Sequence, residues 1–206
     1  MKLLICALAA PSLFAQYEFG GAFGYGIYRD GTVFGPGSTV EAGIRNRFAA
    51  GAVIGEEPYE YISGEFRYLY QDGHPFLSSG GTKIDVQGQS HTFTYDVLFH
   101  FQPRDRKLRF FVAGGAGVKG YVIAGPVPAT QPFSTIASLT NRDEWMFVVD
   151  VGGGLKYALQ KHLQLRVDFR DYMTTFPKRQ IAPASGNTAR GIFQQFTPMA
   201  GVSFVF

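Results

Sequence analysis

Apolar and polar residues alternate along most of this chain. From residue 17 onward, apolar positions recur at every second residue, which is the period of a β-strand. In each alternating segment, one face is apolar and rich in aromatic residues, and the other carries charged residues and glycines. Eight segments have this pattern, at residues 17–28, 39–54, 61–71, 90–102, 108–124, 145–159, 163–173 and 192–206. The pattern predicts eight strands, each with one apolar and one polar face.

The connections between these segments alternate in length. Those at 56–60, 103–107 and 160–162 are short, whereas those at 29–38, 72–89, 125–144 and 174–191 are long and rich in Gly, Pro, Ser and Thr. Short turns at one end and long loops at the other are typical of a transmembrane barrel. We therefore predict an all-β fold, an antiparallel eight-stranded transmembrane β-barrel with up-and-down topology, short periplasmic turns and longer external loops.

The second segment can be divided in another way. A two-residue turn at Asn46-Arg47 would split it into two short strands, giving nine strands and destroying the alternation of long and short connections. We expect instead one strand over 39–54, with a bulge at Asn46. The sequence alone leaves both the bulge and the turn open.

Alternation also fits a soluble, lipocalin-like barrel, in which the apolar face points inward. The first residues favour export: Lys2 precedes an apolar stretch at 3–10, and Ala15 is a small residue suited to the position before a cleavage site. We predict a signal peptide at 1–15 and a barrel at 16–206. No later stretch approaches the roughly 20 apolar residues of a spanning helix.

Composition agrees with a chain of strands and turns. Charged residues make up 17% of the 206 residues and aromatic residues 16%, with 26 Gly and 20 Phe. The formal net charge of +3 is small and the bases form no block, so nucleic-acid binding is not expected. The single cysteine, Cys6, lies in the predicted signal peptide, so neither a disulfide nor a sulfur-bound metal is expected in the mature chain.

The last residues, Gly201-Val202-Ser203-Phe204-Val205-Phe206, end in Phe with further apolar residues at alternate positions. This motif is similar to the C-terminal signal that the barrel-insertion machinery reads, carried here by Phe204 and Phe206. Together with the strand and loop pattern, residues 17–206 resemble the OmpA-like eight-stranded outer-membrane β-barrel family. The resemblance implies a bacterial outer-membrane location, with membrane lipid and lipopolysaccharide as surroundings. We expect a monomer, without the periplasmic domain and peptidoglycan-anchoring role of the OmpA type.

The polar faces, if they point inward, place charges of both signs in the lumen. Eight strands enclose little more than side chains, so an ion-pair network that fills the lumen is favoured over a conducting pathway. Glycines on the same face leave room for long arginine side chains. The predicted lumen charge network comprises Glu41, Arg45, Arg47, Glu65, Arg67, Asp96, His100, Arg109, Lys119, Asp150, Lys156, Arg166, Asp168 and Arg170, with Glu18 on the same face.

Enzymatic activity is not expected. Outer-membrane lipid deacylases of this size resemble this chain in architecture and use a Ser and a His two positions apart on the outer rim, but Phe93 stands two places from His91. Ser90 is adjacent to His91 and points to the opposite face. The glycine runs at 114–117 and 152–154 lie within strands and lack the context of a nucleotide-binding loop. No catalytic, cofactor-binding or metal-binding residue is predicted.

The external loops offer one candidate contact to lipopolysaccharide. Lys178 and Arg179 follow the seventh strand, with Arg190 near the return, and basic side chains can bind lipid phosphates. A solvated loop is the simpler interpretation. The function favoured by the sequence is a structural or surface-interaction role through the external loops. A narrow channel for ions or small solutes is the alternative, and a lipid-modifying enzyme is third.

Overall fold

The computed structural model describes residues 16–189 and 191–206. Its regular elements are strands: β1 (Gln16–Tyr28), β2 (Gly31–Gly35), β3 (Ser38–Ile44), β4 (Arg47–Glu57), β5 (Ile62–Asp72), β6 (Pro75–Ser79), β7 (Thr82–Asp85), β8 (Gly88–His100), β9 (Leu108–Ile123), β10 (Ala137–Leu139), β11 (Glu144–Gln160), β12 (Leu163–Thr175), β13 (Ile181–Pro183), β14 (Thr188–Ala189) and β15 (Ile192–Val205). In these described ranges, no helix has the length and hydropathy needed to cross a membrane. The predicted signal peptide lies outside them.

Eight of the strands close into a barrel, in the order β1-β15-β12-β11-β9-β8-β5-β4. All neighbouring pairs are antiparallel, and the first and last strands meet with Phe19 opposite Phe204. Closure pairs every strand on both sides, which leaves no open edge in the barrel wall. The predicted all-β, eight-stranded antiparallel barrel is confirmed.

One predicted strand was wrong. Residues 39–54 divide between β3, which lies outside the barrel, and β4, which is part of the barrel wall. At the break, Asn46 Oδ1 accepts a hydrogen bond of 2.7 Å from the Tyr28 amide, and the Asn46 carbonyl accepts one of 2.8 Å from the Tyr25 hydroxyl. These bonds hold Asn46 against the upper end of β1, directly before β4 begins at Arg47. The expected bulge is therefore wrong: the segment is split into two strands, as in the alternative interpretation, but only β4 belongs to the barrel wall.

The four long connections fold into sheets above the barrel. Strands β2, β3, β6, β7 and β14 form one sheet, and β10 pairs with β13. We call these seven strands the outer cap. In the two-residue hairpin that joins β6 to β7, Gly80 and Gly81 have φ angles of 56° and 81°, which glycine adopts without the steric cost that other residues meet. The connections predicted as external loops are thus a folded unit.

The five-stranded sheet of the outer cap is amphipathic. Val33 and Leu77 are fully buried, whereas Phe34, one residue along from Val33, is 53% exposed. The buried face packs on aromatic side chains from the upper ends of the barrel strands. The shared core includes Tyr28, Val33, Val40, Ala42, Ile44, Leu77, Tyr121, Phe176, Ile181, Ala189 and Phe193. The apolar residues of β3, predicted to face lipid, therefore belong to this core.

The outer surface of the barrel is apolar, and the alternate residues of the same strands are buried. Exposed apolar side chains include Phe19, Phe23, Phe66, Tyr95, Phe99, Val112, Phe147, Val151, Phe169 and Phe204. A soluble protein rarely exposes an apolar surface of this extent, whereas a transmembrane barrel needs one against lipid. Since a lipocalin-like barrel has the opposite arrangement, the soluble alternative is excluded.

Candidate functional site

The lower part of the lumen, at the end with the short turns, is built around Glu57. This carboxylate forms salt bridges with Arg109, at 2.7 Å, and with Lys156, at 3.1 Å. Lys156 also binds Glu18 on β1. His100 is fully buried beside them, and its Nε2 shares a hydrogen bond of 2.9 Å with the Ser63 hydroxyl. The four ion-paired residues come from β1, β4, β9 and β11, and His100 and Ser63 come from β8 and β5, so the cluster links six strands.

Three arginines form the middle of the lumen network around Glu65. Glu65 is bound by Arg67 at 2.7 Å, by Arg166 at 2.6 Å and by Arg170 at 3.0 Å. Arg67 also reaches across the barrel, where its two terminal nitrogens bind both oxygens of Asp168 at 3.2 Å and 3.0 Å. Such two-point pairing uses the planar guanidinium fork and fixes its orientation.

Asp96 and Asp150 share one guanidinium group. Arg170 Nη1 lies 3.0 Å from Asp96 Oδ2 and 3.0 Å from Asp150 Oδ1. A glycine on β9, the strand between them, makes the space for them: a Cβ at Gly115 would lie 2.1 Å from Asp96 Oδ1 and 2.9 Å from Asp150 Oδ2. The inward glycines were predicted to leave room for long arginine side chains, whereas at Gly115 the side chains that occupy the space are carboxylates.

Lys119 lies in the lumen but apart from the network. It donates to Gln195 and lies 5.0 Å from the ring centroids of both Tyr28 and Tyr121. In the part of the chain that the structure describes, it forms no salt bridge. A buried apolar layer along the lumen separates it from the arginines, formed by Ala22, Ala49, Leu69, Val148, Tyr172 and Met199. Lys119 was predicted to belong to the ion-pair network, and this prediction was wrong, because aromatic rings and an amide surround its ammonium group.

Three other predicted lumen residues are not part of the buried network. Glu41 is exposed on β3 of the outer cap. Arg45 binds Asp85 at 3.0 Å, and Arg47 binds Asp72 at 2.9 Å, in both cases with partly exposed side chains. The departure of β3 from the barrel moves Glu41 and Arg45 to the mouth, whereas Arg47 is the first residue of the barrel strand β4.

The structure places the remaining predicted residues inside the barrel. They are Glu65, Arg67, Asp96, His100, Arg109, Asp150, Lys156, Arg166, Asp168 and Arg170, all of them buried. Glu57 is a lumen residue that was not predicted, because 56–60 was assigned to a turn. It lies on the same face of β4 as Val53 and Gly55, so a prediction that continued the strand to residue 57 would have placed Glu57 in the lumen.

Two carboxyl groups of the outer cap have shifted pKa values. Burial, followed by the nearby Glu41, raises the pKa of Asp30 to about 6. Burial alone would also raise the pKa of Asp85, but hydrogen bonds from Arg45 and His74 lower it. The two groups therefore respond to acid in opposite directions.

The rim residue His91 lies among aromatic side chains on the lipid-facing side. Its Nδ1 shares a hydrogen bond of 2.9 Å with the Tyr68 hydroxyl, and it packs against the Tyr70 ring. Ser90 is buried on the other face, 3.3 Å from the Tyr28 hydroxyl. No Ser-His pair is formed at this position. Tyr and His at this height suit the membrane interface, where a ring meets lipid and a polar atom meets water.

The remaining predicted contact residues lie on the surface. Lys178 and Arg179 are exposed beyond the upper end of β12, where the Arg179 amide donates to Glu144 Oε2 at 2.8 Å. Arg190 lies outside the described residues, and contact with lipopolysaccharide stays a prediction. Phe204 and Phe206 are 50% and 72% exposed at the lower end of the barrel. Their role in insertion also stays a prediction.

The solved structures to which this chain is similar have the same kind of fold. No protein-family profile matches this chain, and no curated protein is significantly similar in sequence. Among solved structures, the chain is similar to outer membrane protein OprG from Pseudomonas aeruginosa, with a TM-score of 0.60 and 13% identity, covering 93% of this chain and 95% of that one. It is also similar to Neisserial surface protein A, with a TM-score of 0.54 and 11% identity, covering 93% and 99%. At these identities, the likeness concerns the fold alone.

The fold and the apolar exterior together define the class of protein. A closed antiparallel barrel with an apolar outer surface and a charged interior satisfies its backbone hydrogen bonds while standing in lipid. This chain is a small β-barrel of the bacterial outer membrane, with a charge-filled lumen and a folded outer cap.

Proposed function

We propose that the protein acts at the cell surface through its outer cap, and that the barrel is a closed scaffold for the cap. The observation that carries this proposal is the shared core of cap and barrel, in which seven short strands pack on aromatic residues at the barrel mouth. A rigid platform suits recognition, because less conformational entropy is lost when a partner binds. Loops on a rigid scaffold commonly carry binding function.

The channel alternative is less well supported. The lumen holds paired charges below, an apolar layer above them and the aromatic core at the mouth, where Tyr28 and Phe193 stack with ring centroids 5.4 Å apart. A conducting path would have to pass through all three layers. A lipid-modifying activity has still less support, since His91 has a tyrosine rather than a serine as its hydrogen-bond partner.

A binding comparison tests the surface role. Fluorescent vesicles carrying the full protein would be applied to surfaces coated with lipopolysaccharide, with a sulfated polysaccharide, with fibrous matrix proteins or with the protein itself. The matched variant replaces residues 31–42 with a flexible Gly-Ser linker, which removes β2 and most of β3. A heat-dependent change in gel mobility would show that its barrel still folds.

We expect the parent protein to bind at least one of these surfaces, and the linker variant to bind that surface at least tenfold more weakly. Equal binding by both proteins on every surface, or no binding by the parent, would count against a role of the outer cap in recognition.

A further inference from the structure

A pocket of about 110 Å³ opens at the lower end of the barrel, opposite the outer cap. The turn between β8 and β9, the turn between β11 and β12 and the end of β15 form its walls. Six basic residues line it: Arg104, Arg106, Lys107, Arg109, Lys156 and Lys161. Four of them lie within residues 104–109, and the fold brings Lys156 and Lys161 beside these four.

The positive charge of the pocket is only partly compensated. Its one lining carboxylate, Glu57, is already bound by Arg109 and Lys156. Arg104 is engaged with the same region, since it donates to the Tyr59 carbonyl at 3.1 Å. Arg106, Lys107 and Lys161 form no salt bridge with any residue of the described ranges, and all three are exposed. The outer part of the pocket is therefore an unpaired basic surface.

The inner part of the pocket has unused hydrogen-bond donors. Gln164 Nε2 and Arg109 Nε are buried and have no hydrogen-bond partner among the described residues. A buried donor without an acceptor is unfavourable, and an anion in the pocket would supply one. The volume is enough for several water molecules, and hence for one small oxyanion.

We propose that this pocket binds a phosphate group. Arginine and lysine together match phosphate, because the guanidinium fork pairs with two oxygens and the ammonium adds a compact charge. Leu163 and Val205 also line the pocket, so one side of it is apolar and lies where the lipid-facing surface ends. The same chemistry fits the headgroup of an anionic phospholipid or a free phosphate ion.

Binding to the full protein in detergent micelles tests the proposal. The probes are inorganic phosphate, measured by calorimetry, and phosphatidylglycerol, measured by native mass spectrometry with phosphate-free diacylglycerol as the lipid control. The test variant is Arg106→Ala/Lys107→Ala/Lys161→Ala, which leaves the lumen residues intact. The matched control is Arg142→Ala/Lys178→Ala/Arg179→Ala, which removes the same charge from exposed residues at the other end.

We expect the parent to bind phosphatidylglycerol and not diacylglycerol, with affinity at least tenfold lower in the test variant and within twofold in the control. Competition by inorganic phosphate would identify a site for the free ion, and its absence a site for the lipid headgroup. The proposal is overturned if the parent binds neither phosphate probe, if the test variant binds as the parent does, or if both variants lose affinity equally.

Discussion

Arg170 shows how single residues hold the lumen together. Its guanidinium group contacts Glu65, Asp96 and Asp150 and is completely buried. A buried charge is tolerated only where opposite charges and hydrogen bonds replace water. Each carboxylate here meets at least one guanidinium or ammonium group, and several of these groups are shared. Removal of one member leaves charges behind that have lost a partner.

Replacement of Arg166 or Asp168 by alanine should therefore weaken the barrel. Arg166 binds Asp168 at 2.7 Å and Glu65 at 2.6 Å, with both partners buried. We expect a loss of about 3–5 kcal/mol in the free energy of unfolding for either change, since breaking a buried pair leaves an uncompensated charge. Urea unfolding in detergent micelles, followed by the fluorescence of Trp145, measures it.

The control for this prediction is Arg45→Ala. Arg45 and Asp85 form a salt bridge of similar length, 3.0 Å, but their side chains are 40% and 32% exposed. Exposed pairs contribute roughly 0–1 kcal/mol. Unfolding midpoints that stay unchanged in both lumen variants would remove the support for a stabilising network.

Asp30 should make the outer cap sensitive to pH. Its pKa rises from an ordinary value of 3.8 to about 6 in the fold, so the folded cap holds the proton more tightly than the unfolded chain. The contribution of Asp30 to cap stability is thus complete below about pH 4 and is lost as the pH rises through about 6. Asp30→Asn should remove this dependence and stabilise the cap by about 1 kcal/mol at pH 7, a figure reduced for partial exposure.

Hydrogen exchange of the β2 and β3 amides between pH 4 and 7 measures this effect, after correction for the intrinsic exchange rate. Asp85→Asn is the matched control with the opposite sign. The pKa of Asp85 is lowered by its bonds to Arg45 and His74, so its contribution is present at neutral pH and is lost in acid. An unchanged pH dependence in Asp30→Asn would refute the assignment.

Within the strand β9, two adjacent glycines show which positions require glycine. Consecutive residues of a strand point to opposite sides, so Gly114 and Gly115 face different surroundings. A Cβ on Gly114 would have the Asp150 carbonyl as its nearest neighbour, at 3.8 Å, whereas one on Gly115 would also meet the Tyr95 carbonyl at 2.7 Å. Only the inward glycine is required by the packing of the lumen.

Gly115→Ala should consequently destabilise the barrel by about 1–3 kcal/mol, because the backbone and the two lumen carboxylates must shift. Gly114→Ala is the matched control and should change the stability by less than about 0.5 kcal/mol. Urea midpoints of the two variants give the comparison. Equal effects would mean that the inward space is not needed.

The alternation of apolar residues predicted the barrel strands well, because each is 11 to 17 residues long and has two different faces. The outer cap was not foreseen as a sheet. Its strands have only two to seven residues, and they pair across the sequence, as Thr188 does with Phe34. Val40 and Ala42 have the same alternation in a cap strand as in a barrel strand. For this reason β3 was predicted to be part of a barrel strand, and Glu41 and Arg45 were predicted to lie in the lumen.

In the whole molecule, three regions have different roles: the outer surface of the barrel, the lumen and the outer cap. The apolar exterior holds the barrel in lipid, the lumen network joins opposite walls, and the outer cap closes the mouth with a core of its own. Arg67 on β5 and Asp168 on β12 meet through the lumen although their strands are not neighbours in the barrel. A filled lumen of this kind makes a rigid scaffold and leaves the two ends as the surfaces available for contact.

Single-channel recording in a planar lipid bilayer shows whether this barrel is closed to ions. We predict no conductance steps for the parent protein, and none for the variant with the linker in place of 31–42, because the lumen charges remain paired beneath the cap. Stable steps in the parent, with ion selectivity that changes in Asp150→Asn, would instead show that ions pass along the lumen and that the barrel is open.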